Sequence, residues 1–183
     1  MPRNIEIKAQ VSDLAALERR ASPLADSGPE AIFQDDTFFA CPTGRLKLRD
    51  FGNGRGELIF YQRADETGPK PSYYRIAPTD DPQSLRQVLL EAYGSPGRVI
   101  KQRVLYLAGR TRIHLDRVEG LGDFMELEVV LAEDETPEQG LAEARRLMDR
   151  LGIESDSLVE GAYLDLLGGS AVMTGTAIDP LQR

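Results

Sequence analysis

The stretch Asn4-Ile5-Glu6-Ile7-Lys8 decides how the rest of the chain is interpreted. Its apolar and polar residues alternate, which predicts a β-strand. Because successive side chains of a strand point to opposite faces, Ile5 and Ile7 share one face and the polar residues share the other. An antiparallel strand with one face in the core and one in water has this pattern. Later strands repeat the pattern with more charge than contact with water requires.

Composition excludes several classes of protein. A chain of 183 residues with 41% hydrophobic and 28% charged residues is typical of one soluble globular domain. The net charge of −8 argues against a protein that coats nucleic acid or an anionic membrane. One cysteine, Cys41, excludes an internal disulfide and fits a reducing compartment, and no apolar stretch resembles a signal peptide or a membrane span. We therefore expect a cytoplasmic protein without nucleic-acid or membrane partners.

The pattern along the chain predicts an α+β fold with a large antiparallel sheet. Strands are predicted at residues 4–8, 32–39, 45–49, 57–63, 73–76, 99–107, 111–118 and 124–130, and helices at residues 14–20, 82–93, 137–151 and 157–167. The glycine-rich residues 52–56 are interpreted as a hairpin turn, because no Lys-Ser/Thr pair and no helix follow as in a phosphate-binding loop. Residues 1–167 are expected to form the domain and residues 168–183 a C-terminal tail.

Several predicted strands carry ionisable residues at every second position, and in three of the four groups below the charges have one sign. The groups are Arg45, Lys47 and Arg49; Lys101 and Arg103; Arg112 with His114 and Asp116; and Glu126 with Glu128. Two carboxylates at this spacing lie about 7 Å apart along a strand and, at an effective dielectric near 20, repel by about 2 kcal/mol. Such a pair is expected either in bulk water or facing a cation.

Two arrangements of the sheet fit this pattern. In one, a twisted sheet exposes a salt-bridged face to water. In the other, an eight-stranded sheet closes into a barrel with its ionic faces inside, and the amphipathic helices pack on the apolar outside. An ionic lumen suits a polyanion with a divalent metal, because arginine contacts phosphate oxygens bidentately and Mg²⁺ or Mn²⁺ takes carboxylates and phosphates together.

The ordered set of these motifs resembles the CYTH family of triphosphate tunnel metalloenzymes, most nearly its class IV adenylyl cyclase branch. Residues 4–8 match the N-terminal E-x-E-x-K hallmark of the family, and the resemblance covers residues 2–167. It implies an eight-stranded antiparallel tunnel that holds a triphosphate with basic side chains and one or two Mg²⁺ or Mn²⁺ ions. Asn4 departs from the hallmark, which has its first Glu there, and a neutral amide is a weaker metal ligand.

The resemblance also implies roles for individual residues. Glu6, Asp116, Glu126 and Glu128 are the implied metal ligands. Lys8, Lys47, Arg49, Arg63, Arg75, Lys101, Arg103 and Arg112 are the implied phosphate ligands. Glu6, Lys8, Glu126 and Glu128 are the residues expected to act in catalysis. His114, the only histidine, is interpreted as a structural or solvated strand residue.

Three functions remain open from the sequence. The first is a class IV cyclase that converts ATP to cyclic AMP and pyrophosphate. The second is a hydrolase of inorganic or organic triphosphates, including tripolyphosphate and thiamine triphosphate, although the absence of tryptophan disfavours stacking on a thiazolium ring. The third is a binder of nucleotides or polyphosphate without catalysis. The sequence leaves the oligomeric state open between a monomer and a homodimer.

Overall fold

The computed structural model describes residues 3–62 and 73–171, which form one sheet and four α-helices. The strands are β1 (Arg3–Gln10), β2 (Ser27–Phe39), β3 (Arg45–Asp50), β4 (Gly56–Gln62), β5 (Tyr73–Thr79), β6 (Gly97–Ala108), β7 (Thr111–Val118) and β8 (Gly122–Leu131). All neighbours pair antiparallel in the order β1-β8-β7-β6-β2-β3-β4-β5. The predicted α+β fold with an eight-stranded antiparallel sheet is therefore confirmed.

Closure of the sheet into a barrel is not confirmed. Within the described residues, β1 and β5 are the two edge strands, and no hydrogen-bonded ladder joins them. A closed barrel needs every edge paired. The sheet is nevertheless strongly curved, because residues from all eight strands line a single cavity.

The helices begin where capping side chains are available. They are α1 (Leu14–Ala21), α2 (Pro82–Tyr93), α3 (Pro137–Leu151) and α4 (Tyr163–Ala171). The carboxylates of Asp13 and Asp81 accept hydrogen bonds from the first turns of α1 and α2, and Thr136 and Gln139 form a capping box at α3. None of the helices in the described part of the chain is long and apolar enough to cross a membrane.

The helices cover the apolar face of the sheet. The largest apolar cluster contains residues of β1, β6, β7 and β8 packed against α1 and α3: Ala9, Leu17, Ala21, Tyr106, Ile113, Leu115, Met125, Leu127, Leu147, Met148 and Leu151. Full burial of one such large apolar side chain contributes about 1.5–3 kcal/mol. Because side chains alternate along a strand, this packing directs the intervening charged residues of β7 and β8 to the opposite, concave face.

The largest differences from the sequence-based bounds occur at two elements, β2 and α4. Strand β2 begins at Ser27 rather than at residue 32, so it includes Gly28 and Pro29. The register with β6 shifts between Ser27 and Glu30, and such a bulge tolerates a proline without an N–H. Helix α4 begins at Tyr163 rather than at residue 157 and continues to Ala171. The expected division between domain and tail at residues 167 and 168 thus falls inside α4, and it stays a prediction.

Candidate functional site

The concave face of the sheet encloses a cavity of about 290 Å³. This is close to the lower end of the range for small-molecule sites. Its charged lining consists of Glu6, Lys8, Asp36, Lys47, Arg49, Lys101, Arg103, Glu126 and Glu128, with His114 beside them. The amino-terminal turn of α4 contributes Ala162 and Tyr163. The ionic faces that the sequence predicted to share a lumen therefore meet in one cavity.

On the β2–β3 side of the cavity, one carboxylate holds two cations. We call Asp36, Lys47 and Arg49 the Asp36 cluster. Asp36 lies opposite Arg49 in the ladder, and its Oδ2 accepts a hydrogen bond of 2.7 Å from Lys47 Nζ. Arg49 donates to both oxygens of the same carboxylate, from Nε at 2.7 Å and from Nη2 at 2.8 Å. Asp36 therefore fixes the direction of both cationic side chains, because a two-point contact leaves the guanidinium one orientation.

Burial shapes the protonation of this cluster. Burial alone would raise the pKa of Asp36, but Lys47 and Arg49 more than offset it and hold that pKa well below its usual range. Burial lowers the pKa of Lys47 to about 8, and the charges of Arg49 and Lys101 act in the same direction, whereas Asp36 opposes them. Lys47 is thus a cation that loses its proton within an accessible pH range.

On the β6–β7–β8 side, one guanidinium joins two carboxylates. We call Lys8, Lys101, Arg103, Asp116 and Glu126 the Arg103 cluster. Arg103 donates to Asp116 from Nε at 2.6 Å and from Nη2 at 2.5 Å, and also from Nη2 to Glu126 Oε2 at 2.6 Å. Lys8 Nζ lies 3.3 Å from Glu126, and Lys101 Nζ lies 3.6 Å from Asp116. All five side chains are buried, so each charge depends on its partners.

The pKa shifts in the Arg103 cluster follow from these contacts. Burial alone would lower the pKa of Arg103, but its hydrogen bond to Asp116 and the charge of Glu126 raise it above the ordinary value. Burial would raise the pKa of Glu126, but Arg103 and the lysines hold it well below its usual range. Burial and the charge of Arg103 lower the pKa of Lys101. Arg103 and Glu126 are therefore a permanently charged pair.

Tyr163, at the start of α4, packs against the Arg103 cluster. Its hydroxyl donates to Asp116 Oδ2 at 3.0 Å, and burial raises the pKa of that hydroxyl. The ammonium groups of Lys8 and Lys101 lie 4.2 Å and 5.0 Å from its ring centroid, within cation–π range. Lys8 Nζ also donates to the carbonyl oxygen of Gly161 at 2.8 Å. Tyr163 is therefore buried and also contacts two cations of the site.

Carboxylates of β1 and β8 form the part of the cavity suited to a metal. Glu6 lies directly opposite Glu128 in the ladder, and like charges at such a position repel. Glu128 accepts a hydrogen bond from Asn4 Nδ2 at 2.6 Å and lies 3.1 Å from Arg112 Nη1. In the described part of the chain, no group of three or more His, Cys, Asp or Glu residues is arranged to hold a metal by itself. Two carboxylates still fit Mg²⁺ or Mn²⁺, because Mg²⁺ commonly binds one or two carboxylates and completes its shell with water and substrate phosphates.

His114 lies beside the Arg103 cluster. It is buried, and its Nδ1 lies 3.8 Å from Glu126 Oε2 and has no hydrogen-bond partner among the described residues. Burial lowers the pKa of this histidine, and the charge of Arg103 lowers it further. His114 is therefore neutral near pH 7.

Eight of the twelve residues proposed from the sequence line the cavity, and three of the described ones, Arg112, Asp116 and Arg75, do not. The eight that line it are Glu6, Lys8, Lys47, Arg49, Lys101, Arg103, Glu126 and Glu128, and Arg112 joins them through Glu128. Asp116 lies beneath the cavity and is fully buried, with its oxygens bound by Arg103 and Tyr163 rather than turned towards a metal. Arg75 pairs with Phe60, one position out of step with Tyr61 and Tyr74, so it points to the opposite face. Arg63 lies outside the described residues.

Sequence reasoning missed Asp36 and an apolar part of the lining. Asp36 follows Asp35, and only strand register decides which of two adjacent carboxylates enters the cavity. Phe38, Ile59, Tyr61, Tyr74 and Ile76 also line the cavity. The alternation of Ile59 with Tyr61 and of Tyr74 with Ile76 was a usable signal, because it places two large residues of each strand on one face.

Comparison with known proteins identifies the family. The model of the CYTH domain matches residues 2–163. The chain belongs to the CYTH family. One CYTH relative is a Methanocaldococcus jannaschii protein named as a putative adenylate cyclase, 28% identical over 172 residues that cover 90% of this chain and 98% of the relative.

Solved structures share the fold of this CYTH protein. A Pyrococcus horikoshii protein is similar with a TM-score of 0.79 and 24% identity, over 90% of this chain and 99% of that one. A Vibrio parahaemolyticus protein described as a putative adenylate cyclase is similar with a TM-score of 0.69 and 19% identity, over 91% and 98% of the two chains.

Proposed function

We propose that this CYTH protein binds a triphosphate in the cavity with a divalent metal and converts ATP to cyclic AMP and pyrophosphate. One observation carries the proposal: two clusters of cations from different strands meet in one cavity, which the Glu6–Glu128 pair also lines. Lysine and arginine side chains converging on a buried space are the groups that recognise phosphate chains. The Methanocaldococcus jannaschii relative named as a putative adenylate cyclase supports the choice of reaction.

The charge of the cavity supports the need for a metal. Five cationic side chains line it, Lys8, Lys47, Arg49, Lys101 and Arg103, against four carboxylates, Glu6, Asp36, Glu126 and Glu128. This small positive excess falls short of the several negative charges of a triphosphate. Glu6 and Glu128 would hold Mg²⁺ or Mn²⁺, and that ion supplies the missing positive charge and lowers the pKa of an attacking hydroxyl.

The residues of the chain provide positioning and charge stabilisation. Lys47 and Arg49, fixed by Asp36, would bind one end of the triphosphate. Lys8, Lys101 and Arg103 would face the other phosphates and neutralise the pyrophosphate as it leaves. In the reaction the ribose 3′-hydroxyl loses its proton to solvent water, a bond forms from O3′ to the α-phosphorus, and the bond from that phosphorus to pyrophosphate breaks. Because phosphoryl transfer offers little covalent chemistry to the protein, fixed charges at these positions would supply most of the rate enhancement.

The Asn4 side chain favours a second function, binding without catalysis. Asn4 donates a hydrogen bond to Glu128, where the family hallmark has a carboxylate that could bind metal. A site with one carboxylate fewer has less charge with which to hold a metal. The phosphate-binding cations do not depend on this position.

The test is incubation with ATP, thiamine triphosphate and tripolyphosphate in the presence of Mg²⁺ or Mn²⁺, with chromatographic separation of the products. We expect cyclic AMP and pyrophosphate from ATP, and no product when EDTA is added. Release of orthophosphate instead would make the protein a triphosphatase. Tight binding of ATP without any product would indicate that the protein binds nucleotides without catalysis.

A further inference from the structure

The cavity has an apolar part that phosphate chemistry does not use. Ile59 and Tyr61 of β4 lie directly opposite Ile76 and Tyr74 of β5, and all four line the cavity. Because the pairs are adjacent on one face of two neighbouring strands, they form a continuous surface. We call these four residues the aromatic ledge.

The ledge becomes more exposed towards the edge strand β5. Ile59 is 7% exposed, whereas Tyr74 is 43% and Ile76 is 48% exposed. Single exposed apolar residues are ordinary on a protein surface. Here two large ones are adjacent on the same face of β5 and both line a cavity whose other walls are ionic. A ligand that covered them would remove apolar area from water.

The ledge is continuous with the phosphate-binding cations. Ile59 lies directly opposite Lys47 in the β3–β4 ladder, and Lys47 Nζ lies 5.8 Å from the centroid of the Tyr61 ring. Phosphates bound at Lys47 and Arg49 would therefore place an attached group next to the ledge. We infer that the aromatic ledge binds the planar organic group of an organic triphosphate, a nucleobase, by stacking and apolar contact.

This inference rests on the proposed function, because the ledge has a role only if phosphates bind at the adjacent cluster. Tripolyphosphate has no apolar group and would leave the ledge uncovered. Stacking on an aromatic side chain accepts any nucleobase, since every base has a π-face. The ledge thus distinguishes organic from inorganic triphosphates rather than one base from another.

The experiment compares dissociation constants for ATP and for tripolyphosphate, measured by calorimetry with EDTA present so that no turnover accompanies binding. We expect Tyr74→Ser to weaken ATP binding by about tenfold and to leave tripolyphosphate binding unchanged. Tyr74→Phe keeps the ring and should restore ATP binding. Tyr93→Ser is the matched control, because Tyr93 lies on α2, outside the cavity lining, and is 55% exposed.

The outcomes separate the two proposals. If the wild-type protein binds neither ligand, the proposed function fails, and the ledge has no adjacent phosphate site. If the wild-type protein binds both ligands and Tyr74→Ser weakens neither, or weakens both equally, only the role of the ledge is wrong. A change in oligomeric state in Tyr74→Ser with unchanged ATP binding would make the ledge a contact between copies of the chain and would also overturn the inference.

Discussion

The Asp36 cluster and the Arg103 cluster hold cations at the same cavity, but the two clusters differ in how deeply those cations are buried and in how many carboxylates they contact. In the Arg103 cluster two carboxylates serve three cations, and the side chains of Lys8, Lys101 and Arg103 are 6–9% exposed. In the Asp36 cluster one carboxylate serves two cations, each 15% exposed. The cations of the Arg103 cluster are therefore more deeply buried, although they also line the cavity, whereas those of the Asp36 cluster can more readily exchange a partner for water or a ligand.

The difference separates stability from binding. A fully buried charge that loses its partner has no water to replace it, so removal of one member of a buried pair is costly. Lys47 and Arg49 already reach the cavity, and a phosphate oxygen could take the place of a lost contact. We expect substitutions in the Arg103 cluster to lower stability most, and substitutions of Lys47 or Arg49 to lower mainly the affinity for phosphate.

The largest expected effect is on the stability of the Arg103 cluster. Asp116→Asn leaves Arg103 and Lys101 with a neutral partner in a site that is fully buried. We expect the free energy of unfolding to fall by about 3–5 kcal/mol. Asp36→Asn should cost less, about 1–3 kcal/mol, because its cations can turn towards the cavity. Urea denaturation of both variants measures the difference, and equal losses would contradict the distinction between the clusters.

A second comparison concerns two carboxylates two residues apart on β8. Glu126 belongs to the Arg103 cluster, whereas Glu128 is half-buried at the carboxylate pair with Glu6. We expect Glu128→Gln to lower metal-dependent turnover by about 100-fold or more and to raise the Mg²⁺ concentration needed for half-maximal activity. Its thermal midpoint should stay close to that of the wild type. Glu138→Gln, at the exposed start of α3, is the control.

Normal turnover by Glu128→Gln at low Mg²⁺ would exclude metal binding at the carboxylate pair. Glu126→Gln gives the complementary measurement. Because it removes a charge between Lys8 and Arg103, it should lower the thermal midpoint as well as the activity. If Glu126→Gln had the same thermal midpoint as the wild type, the proposed difference between Glu126 and Glu128 would be wrong.

Alternation along strands accounts for what the sequence predicted. Apolar residues such as Ile113 and Leu115 alternate with charged ones, so a single strand already separates the helix-covered face from the ionic face. Capping residues marked where α1, α2 and α3 begin. Most of the candidate cavity residues followed from these two rules together with the family resemblance.

Register and partner choice account for what the sequence could not predict. Asp116 shares the face of Arg112 and His114, but its ion pair with Arg103 of the neighbouring strand buries it beneath the cavity. The sequence-based prediction places Arg75 in the site, but β5 directs Tyr74 and Ile76 towards the cavity instead. Alternation along β5 separates its residues into two faces but does not tell which of the two faces the cavity. Closure of the barrel depends on whether distant edges pair, which no local pattern encodes.

A smaller effect tests which cations of β3 and β5 face the ligand. Lys47→Ala removes one charge-assisted contact, so we expect the affinities for ATP and for tripolyphosphate to fall together by about 10- to 100-fold. Arg75→Ala removes a cation of the neighbouring β-hairpin that points away from the cavity. It should leave both affinities unchanged. Isothermal titration of the two variants measures both effects, and a loss of affinity in Arg75→Ala would refute the assigned face.

The smallest expected effect is a pH dependence that arises from Lys47 of the Asp36 cluster. Burial lowers the pKa of Lys47 to about 8, with Asp36, Arg49 and Lys101 as the charged neighbours. Only protonated Lys47 can donate to a phosphate as a cation, and a bound phosphate raises the pKa of the lysine. Binding therefore takes up a proton above pH 8, and affinity for tripolyphosphate should fall as pH rises, by up to about tenfold at pH 9.

The arginine variant Lys47→Arg isolates this contribution, because a guanidinium stays charged throughout this range. Titration of tripolyphosphate itself changes affinity equally in both proteins, so the informative quantity is the ratio of their dissociation constants from pH 7 to pH 9. We expect the wild type to lose affinity relative to the arginine variant as pH rises through about 8. A constant ratio would mean that Lys47 keeps its proton, and that the Asp36 cluster is as firmly charged as the Arg103 cluster across the cavity.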